Sequence, residues 1–253
     1  MDYSMNLFLP YNKMRVESQS IVLNSNKSEF RNSFYPPLQL DPKGKHEIAL
    51  LNLDMYHSVP NIDESNNKFI YYCDDEKFII EIPTGSYEIK EIDNFIQKIL
   101  IKNSHDDFFD IKANITTLKC ILNIKNGCIK INFNEENSLK SLLGFSDDTV
   151  LEGVGENEGQ NIVNILSVNS IFVNCDIIEG SYLNDSQKPI LYSFFPNVSP
   201  GYKIVEKPQS VVYLPITLPV LNSIYIWLTD QNHKLLNLRG ETITLRLHLK
   251  STF

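Results

Sequence analysis

Short segments in which hydrophobic and polar residues alternate dominate both ends of the chain. In residues 242–249, every odd position is Ile or Leu and every even position is polar, as in a strand with one buried face. Residues 47–53 are instead almost continuously apolar, which is typical of a strand buried on both faces. Patterns of this kind predict strands at 20–24, 30–40 (broken by Pro36 and Pro37), 47–53, 162–166, 170–178, 190–195, 202–205, 211–215, 224–228 and 242–249.

Residues 69–145 are the part of the chain with helical periodicity. Apolar residues recur at 89, 92, 95, 96, 99 and 100, which predicts one amphipathic helix, and Ser86 is placed to cap it. A strand at 78–82 precedes this helix. Strands within 116–124 and at 128–133 follow it, joined by Asn126-Gly127 in a predicted hairpin. A short helix at 138–143 should end at Gly144, since glycine readily adopts the left-handed conformation of a C-cap.

These elements divide the chain into two parts. The strands of 1–68 are too few to form a sandwich alone, so we infer that they complete a β-sandwich with those of 161–253. Residues 69–160 then form an inserted α+β subdomain with the order β-α-β-β-α. The acidic, glycine-containing stretch 147–160 is predicted to be a flexible connecting loop. The predicted fold class is therefore mainly β.

Composition and charge narrow the choice of function. The chain of 253 residues is 42% hydrophobic and 11% aromatic, as in a folded protein, and its net charge is −8. Because Lys and Arg form no cluster, direct binding to nucleic acid is disfavoured. The N-terminus lacks the pattern of a signal peptide, and no segment has the length of a membrane span, so we expect synthesis in the cytosol.

The sequence contains no motif that defines a catalytic or metal site. The five histidines form no His-x-His motif, and the glycine pattern around 153–159 lies in an acidic stretch that would repel phosphate. Asp74-Asp75-Glu76 and Asp106-Asp107 fit solvated turns better than calcium loops. The four cysteines (73, 120, 128 and 175) lack CxxC spacing and are expected to be reduced core thiols. We therefore predict no metal, no cofactor and no enzymatic activity.

Tyr225 and Trp227 are the candidate site residues. They lie in the predicted strand 224–228, where alternation places them on the face opposite Ile224, Ile226 and Leu228. If the isoleucine face belongs to the sandwich core, the aromatic pair is available for a subunit contact. Packing against the inserted subdomain is an equally weighted alternative.

Four short motifs occur in order along nearly the whole chain. They are IPTGSY (82–87) before the first helix, LLGF (142–145) after the second, and the C-terminal runs IWLTDQNHKL (226–235) and LRGETITLRLHL (238–249). Together they resemble the penton-like minor capsid proteins of Polinton (Maverick) elements and adintoviruses. The short N-terminal segment Met5–Pro10 departs from this pattern, and its role as an arm or a strand is left open.

The resemblance implies a single jelly roll, five copies of which close a vertex of the icosahedral shell of a double-stranded DNA virus or virus-like element. Its expected partners are four further copies of itself, in a homopentamer, and a double-jelly-roll major capsid protein, and its expected location is the capsid vertex of the virion. From the residues alone, a β-sandwich attachment module that binds a carbohydrate or receptor through an exposed aromatic platform remains the alternative. An enzyme, which would reveal itself by perturbed ionisable groups in a pocket, is a third possibility.

Overall fold

The computed structural model describes residues 16–253, so the Met5–Pro10 segment lies outside the described residues. Their fold is mainly antiparallel β, with two helices. In chain order the elements are β1 (Val16–Ser25), β2 (Glu29–Gln39), β3 (Lys45–Tyr56), β4 (Lys68–Cys73), β5 (Glu76–Glu81), α1 (Ile89–Lys102), β6 (Phe109–Asn114), β7 (Lys119–Ile124), β8 (Ile129–Asn132), α2 (Lys140–Leu143), β9 (Val150–Glu152), β10 (Gly155–Ile162), β11 (Ile171–Cys175), β12 (Tyr182–Leu183), β13 (Ser186–Gln187), β14 (Ile190–Phe194), β15 (Lys203–Glu206), β16 (Leu214–Ile216), β17 (Val220–Thr229) and β18 (Ile243–Thr252).

The described chain divides into two compact units. The first unit comprises residues 16–56, 170–197 and 203–253, and the second comprises 57–169 and 198–202. The sequence places the boundaries of the inserted part at 69 and 160, which is narrower than the second unit. The difference arises because the flanking segments pair within that unit: Ile62 bridges to Gly85, and the Asn61 amide donates to the carbonyl oxygens of Tyr87 (2.8 Å) and Ile165 (3.1 Å).

The first unit contains two larger antiparallel sheets that mix strands from both ends of the chain, and the two-stranded hairpin β12-β13. One has the strand order β1-β18-β3-β15, with β16 also paired to β3, and the other has the order β14-β11-β17-β2. The N-terminal strand β1 pairs along its whole length with the C-terminal strand β18. Neither terminal segment therefore forms a sheet without the other.

Alternation explains which face of each sheet is buried. The odd residues 243–249 of β18 are almost fully buried and the even residues are partly or fully exposed, which confirms the predicted pattern. In β17, Ile224, Ile226 and Leu228 are completely buried. The core of the first unit therefore lies on the aliphatic faces of its strands.

The second unit is built from two sheets and the helices α1 and α2. The sheets have the strand orders β5-β4-β8-β9 and β10-β7-β6. The predicted apolar stripe of α1 is confirmed, since Ile89, Ile92, Ile96 and Leu100 are at most 3% exposed and belong to the core of this unit. The helix begins after Glu88, whose backbone N–H donates to Glu91, so the prediction that Ser86 is the N-cap is wrong. The Ser86 hydroxyl donates instead to the Val59 carbonyl oxygen.

The Asn126-Gly127 hairpin predicted from the sequence is wrong. β7 pairs with β6 and β10, whereas β8 pairs with β4 and β9, so the two strands belong to different sheets. The Asn126 side chain still forms a local turn, because its Oδ1 accepts a hydrogen bond from the Cys128 backbone N–H at 3.1 Å. The turn carries the chain from one sheet to the other.

The predicted loop at 147–160 is also wrong, because it contains β9 and most of β10. β10 pairs with β7 but has few apolar side chains and buries only one residue, so it carries no hydrophobic pattern. Its one buried residue is Gly159, where an added Cβ would lie 3.1 Å from the Gly144 carbonyl oxygen. The close approach to Gly144 therefore requires a small residue at position 159, and the other positions of β10 are mostly polar and exposed.

Two of the four cysteines depart from the expectation of reduced core thiols. Cys73, at the end of β4, and Cys128, just before β8, form a disulfide across this strand pair, with Cα atoms 4.9 Å apart. Cys120 and Cys175 are buried free thiols, as expected. Burial raises the pKa of each of these two thiols to about 12.

Candidate subunit-contact surface

The register between β2 and β17 places Tyr225 and Trp227 on the outer face of a sheet. Trp227 lies opposite Glu29, and Tyr225 lies opposite Arg31. Since residues two apart on a strand share a face, the two aromatic side chains point away from the buried face of β17. Both are half-buried. The predicted orientation of the pair is therefore correct.

We refer to Glu29, Arg31, Tyr225 and Trp227 as the aromatic surface. The rings of Tyr225 and Trp227 are stacked, with centroids 5.0 Å apart and planes inclined by 26°. The Arg31 guanidinium carbon lies 5.0 Å from the centroid of the Tyr225 ring, in a cation–π contact. The Tyr225 hydroxyl donates to Glu29 Oε2 at 2.6 Å. These contacts hold both rings in one arrangement.

A second set of hydrogen bonds fixes Arg31. Its Nη1 donates to Ser223 Oγ at 3.0 Å and lies 3.4 Å from Asp176 Oδ2. The other carboxylate oxygen of Asp176 accepts the Tyr225 backbone N–H at 2.9 Å. The hydrogen bond to Glu29 and, to a smaller extent, burial raise the pKa of Tyr225. Its hydroxyl therefore remains a neutral donor at physiological pH.

The aromatic surface contains residue types that are enriched in protein interfaces. Trp, Tyr and Arg are the residues enriched at positions that carry most of the binding free energy of interfaces. Side chains that are already held in place lose less conformational entropy when a partner covers them. The surface can therefore bury its rings against another protein at low entropic cost.

The sequence identified the two aromatic residues of this surface and missed the others. Glu29 and Arg31 lie in β2, and Asp176 follows β11, so they reach Tyr225 only through strand pairing. Tyr225 and Glu29 are separated by 196 positions. Within 29–33, exposed polar residues alternate with partly buried ones. This alternation indicates that β2 has an outer face, but it does not indicate which strand pairs with β2.

Other residues that the sequence singled out have local structural contacts. Asp74 and Asp75 have positive φ angles of 49° and 66° and form the two-residue turn between β4 and β5, as predicted for a solvated turn. His57 is buried, and its Nδ1 lies 2.7 Å from the Val198 carbonyl oxygen. His248 Nδ1 lies 2.6 Å from the Tyr213 hydroxyl.

Within residues 16–253, one group of side chains has the spacing of a metal site. Ligand atoms of Cys73, Asp74 and Cys128 lie within 4.8 Å of one another. The two sulfur atoms are joined in the disulfide, so neither is available as a thiolate ligand. In the same part of the chain, no helix is long and apolar enough to cross a membrane.

Comparison with known structures identifies the fold as that of a viral penton protein. One matching structure is the crystal structure of the selenomethionine-labelled mavirus penton protein, which is 12% identical, with a TM-score of 0.52. The match covers 94% of this chain and 100% of the mavirus chain. No protein-family model and no curated protein matches the sequence. The resemblance to penton-like proteins noted in the sequence is thereby confirmed at the level of the fold.

Proposed function

We propose that the protein is the penton subunit of an icosahedral double-stranded DNA virus or virus-like element, and that five copies close each vertex of the shell. The observation that carries this proposal is the similarity of fold to the mavirus penton protein along nearly the whole chain. A match that spans both chains end to end includes both compact units, not only a common β-domain.

The strand order of the first unit supports a single jelly roll. Numbered 1 to 8, its main strands β1, β2, β3, β11, β14, β15, β17 and β18 form two sheets of order 1-8-3-6 and 5-4-7-2. We interpret this order as that of an eight-stranded jelly roll, a fold common in viral capsid proteins. In this interpretation, the second unit is an α+β insertion between the third and fourth strands.

The aromatic surface is our candidate for one half of the contact between neighbouring subunits. A ring with fivefold symmetry uses one heterologous interface, so each subunit presents two different patches. Half-buried, preorganised rings of Tyr225 and Trp227 beside Arg31 have the composition of an interface centre. The second patch would lie on another face of the neighbouring copy.

We propose a structural role without catalysis, at the capsid vertex, with the double-jelly-roll major capsid protein as the second partner. The net charge of −8 supports a protein that leaves genome contacts to other chains. The jelly-roll topology and the aromatic surface both serve assembly, and the proposal needs no bound cofactor.

The native mass of the purified full-length protein tests the homopentamer. Light scattering should give about 145 kDa, five times the 29.1 kDa chain, and electron microscopy should show rings with fivefold symmetry. If the protein is a monomer alone, it should form pentamers when it is co-expressed with the major capsid protein of the same genome. A monomer under both conditions would refute the proposal.

Replacement of Trp227 tests the contact itself. Trp227→Ala should weaken every interface of the ring, because all five are equivalent, and a central aromatic residue typically contributes about 2 kcal/mol, or roughly 30-fold in the dissociation constant. Tyr213→Ala is the matched control, since Tyr213 is also a half-buried aromatic residue but contacts His248 on the other sheet. Equal assembly of both variants across a dilution series would exclude the aromatic surface from the subunit contact.

A further inference from the structure

A cavity of about 500 Å³ lies at one edge of the first unit, away from the aromatic surface. It adjoins β14, the last strand of one sheet, and the end of β15, the last strand of the other. The rings of Tyr192 and Phe194 lie along it, with centroids 6.3 Å apart and planes inclined by 21°. The Tyr192 hydroxyl donates to Glu206 Oε1 at 2.8 Å and so joins the two edge strands. The cavity therefore has a fixed wall.

Glu206 keeps the capacity to bind a ligand hydroxyl. Burial and, to a smaller extent, the hydrogen bond to Glu206 raise the pKa of Tyr192 to about 12. The Tyr192 hydroxyl therefore remains the donor in this pair. An ionised carboxylate can accept about four hydrogen bonds, of which Tyr192 uses one. Glu206 can thus accept further hydrogen bonds from a molecule in the cavity.

The rim combines an exposed aromatic ring with uncharged polar groups. Phe195 is 70% exposed, which is unusual for a phenylalanine and leaves its ring open to a ligand. The amides of Asn197 and Gln209 and two serine hydroxyls complete the polar lining. Each amide can donate and accept at once. Among the described residues that line the cavity, none is Lys, Arg or His.

These features select a class of ligand by its chemistry. A phosphate, sulfate or sialic acid would meet a carboxylate and no cation, and a lipid chain would leave the polar groups without partners. A neutral sugar has an apolar C–H face that packs on an aromatic ring and hydroxyls that both donate and accept. The volume falls within the usual range for small-molecule sites.

We propose that this cavity binds a neutral saccharide, with Phe195 as the stacking platform and Glu206, Asn197 and Gln209 as hydrogen-bonding partners. The site would give the protein a binding function in addition to assembly. The inference does not depend on the penton role, since all of its residues belong to one subunit and lie outside the aromatic surface.

A printed array of neutral, sialylated and sulfated glycans, probed with the full-length protein, tests this inference. We expect binding to a subset of neutral glycans, which titration calorimetry with the best-bound neutral oligosaccharide then quantifies. Phe195→Ala should weaken that binding at least tenfold. Tyr182→Ala is the matched control, because Tyr182 is 68% exposed in the same unit but lies outside the cavity, and it should bind as the wild type does.

Gln209→Ala provides a second, independent variant, since Gln209 is exposed and its replacement leaves the Tyr192–Glu206 contact in place. It should weaken binding several-fold, and circular dichroism checks that each variant is folded. Absence of binding to every neutral glycan, binding to anionic glycans alone, or unchanged affinity in folded Phe195→Ala would each overturn the inference.

Discussion

Replacement of Gly144 by alanine should destabilise the second unit far more than the same replacement at Gly153. Both glycines have left-handed backbones, with φ of 78° and 82°. A Cβ at Gly153 would meet open space, whereas a Cβ at Gly144 would overlap the Asn161 carbonyl oxygen and lie 3.0 Å from its carbonyl carbon. The two variants therefore share the backbone strain and differ in the steric conflict.

The structure gives the size of the difference. Left-handed backbone costs an alanine about 1 to 2 kcal/mol, which is the full expected loss for Gly153→Ala. At Gly144 the overlap adds about 1 to 3 kcal/mol for the forced shift of β10. It also strains the hydrogen bond from the Asn161 N–H to the Gly144 carbonyl oxygen (2.9 Å), which contributes about 1 kcal/mol. The unfolding free energy of Gly144→Ala should therefore fall by roughly 2 to 4 kcal/mol more than that of Gly153→Ala.

The two buried free thiols provide an assay for each unit separately. Cys120 belongs to the second unit and Cys175 to the first, and both react only when their surroundings unfold. Pulsed thiol labelling across a urea series, read by mass spectrometry, gives an unfolding curve for each. The Cys120 midpoint should fall strongly in Gly144→Ala and slightly in Gly153→Ala, while the Cys175 transition reports whether the first unit is affected. Equal shifts of the Cys120 midpoint in the two variants would refute the steric argument.

Three further outcomes follow from other contacts. Replacing both Cys73 and Cys128 by serine should cost the second unit about 4 kcal/mol, since their disulfide closes a loop of 55 residues, and loss of less than about 1 kcal/mol in the urea series would contradict this. The hydrogen bond from Lys45 lowers the pKa of Glu47 below 4.5. The wild type should therefore have a higher unfolding free energy than Glu47→Gln above pH 4.5, and this difference should disappear as the pH falls through the lowered pKa. A difference that does not change with pH would argue against the ion pair. Leu247→Ala should cost the first unit about 2 to 5 kcal/mol, because the side chain is fully buried in β18, and an unshifted Cys175 labelling curve would exclude its place in the core.

The sequence predicted those elements whose signals are local. The apolar stripe of α1 and the alternation of β18 arise from side chains a few positions apart, and both elements were correctly predicted. The end of α2 at Gly144, in a left-handed C-cap, follows from the same kind of local preference. Each of these features depends on residues within one element and its immediate neighbours.

The errors share a physical cause, since they concern which segments meet. Asn126-Gly127 determines the shape of a turn but not whether β7 and β8 pair, and they do not. β10 buries only one of its residues and therefore lacks a hydrophobic pattern, although it pairs with β7. Cys73 and Cys128 are brought together by the pairing of β4 with β8, which no spacing rule encodes. The sequence alone therefore did not predict which distant strands pair with one another.

Register also separates the two proposed sites on the first unit. The aromatic surface lies on β2 and β17, whereas the cavity adjoins β14, and the sheet order β14-β11-β17-β2 puts β14 two strands from β17. At about 4.8 Å per strand, this is a separation of about 10 Å from β17 and about 14 Å from β2. Substitutions at such a distance, with no shared partners, normally act independently. A subunit held in a ring through Trp227 can therefore keep the cavity beside Phe195 open. The double variant Trp227→Ala, Phe195→Ala should lose as much assembly as Trp227→Ala alone and as much sugar affinity as Phe195→Ala alone. Sugar affinity that falls when Trp227 alone is replaced would show that the two surfaces are coupled, and would place the cavity at the subunit interface.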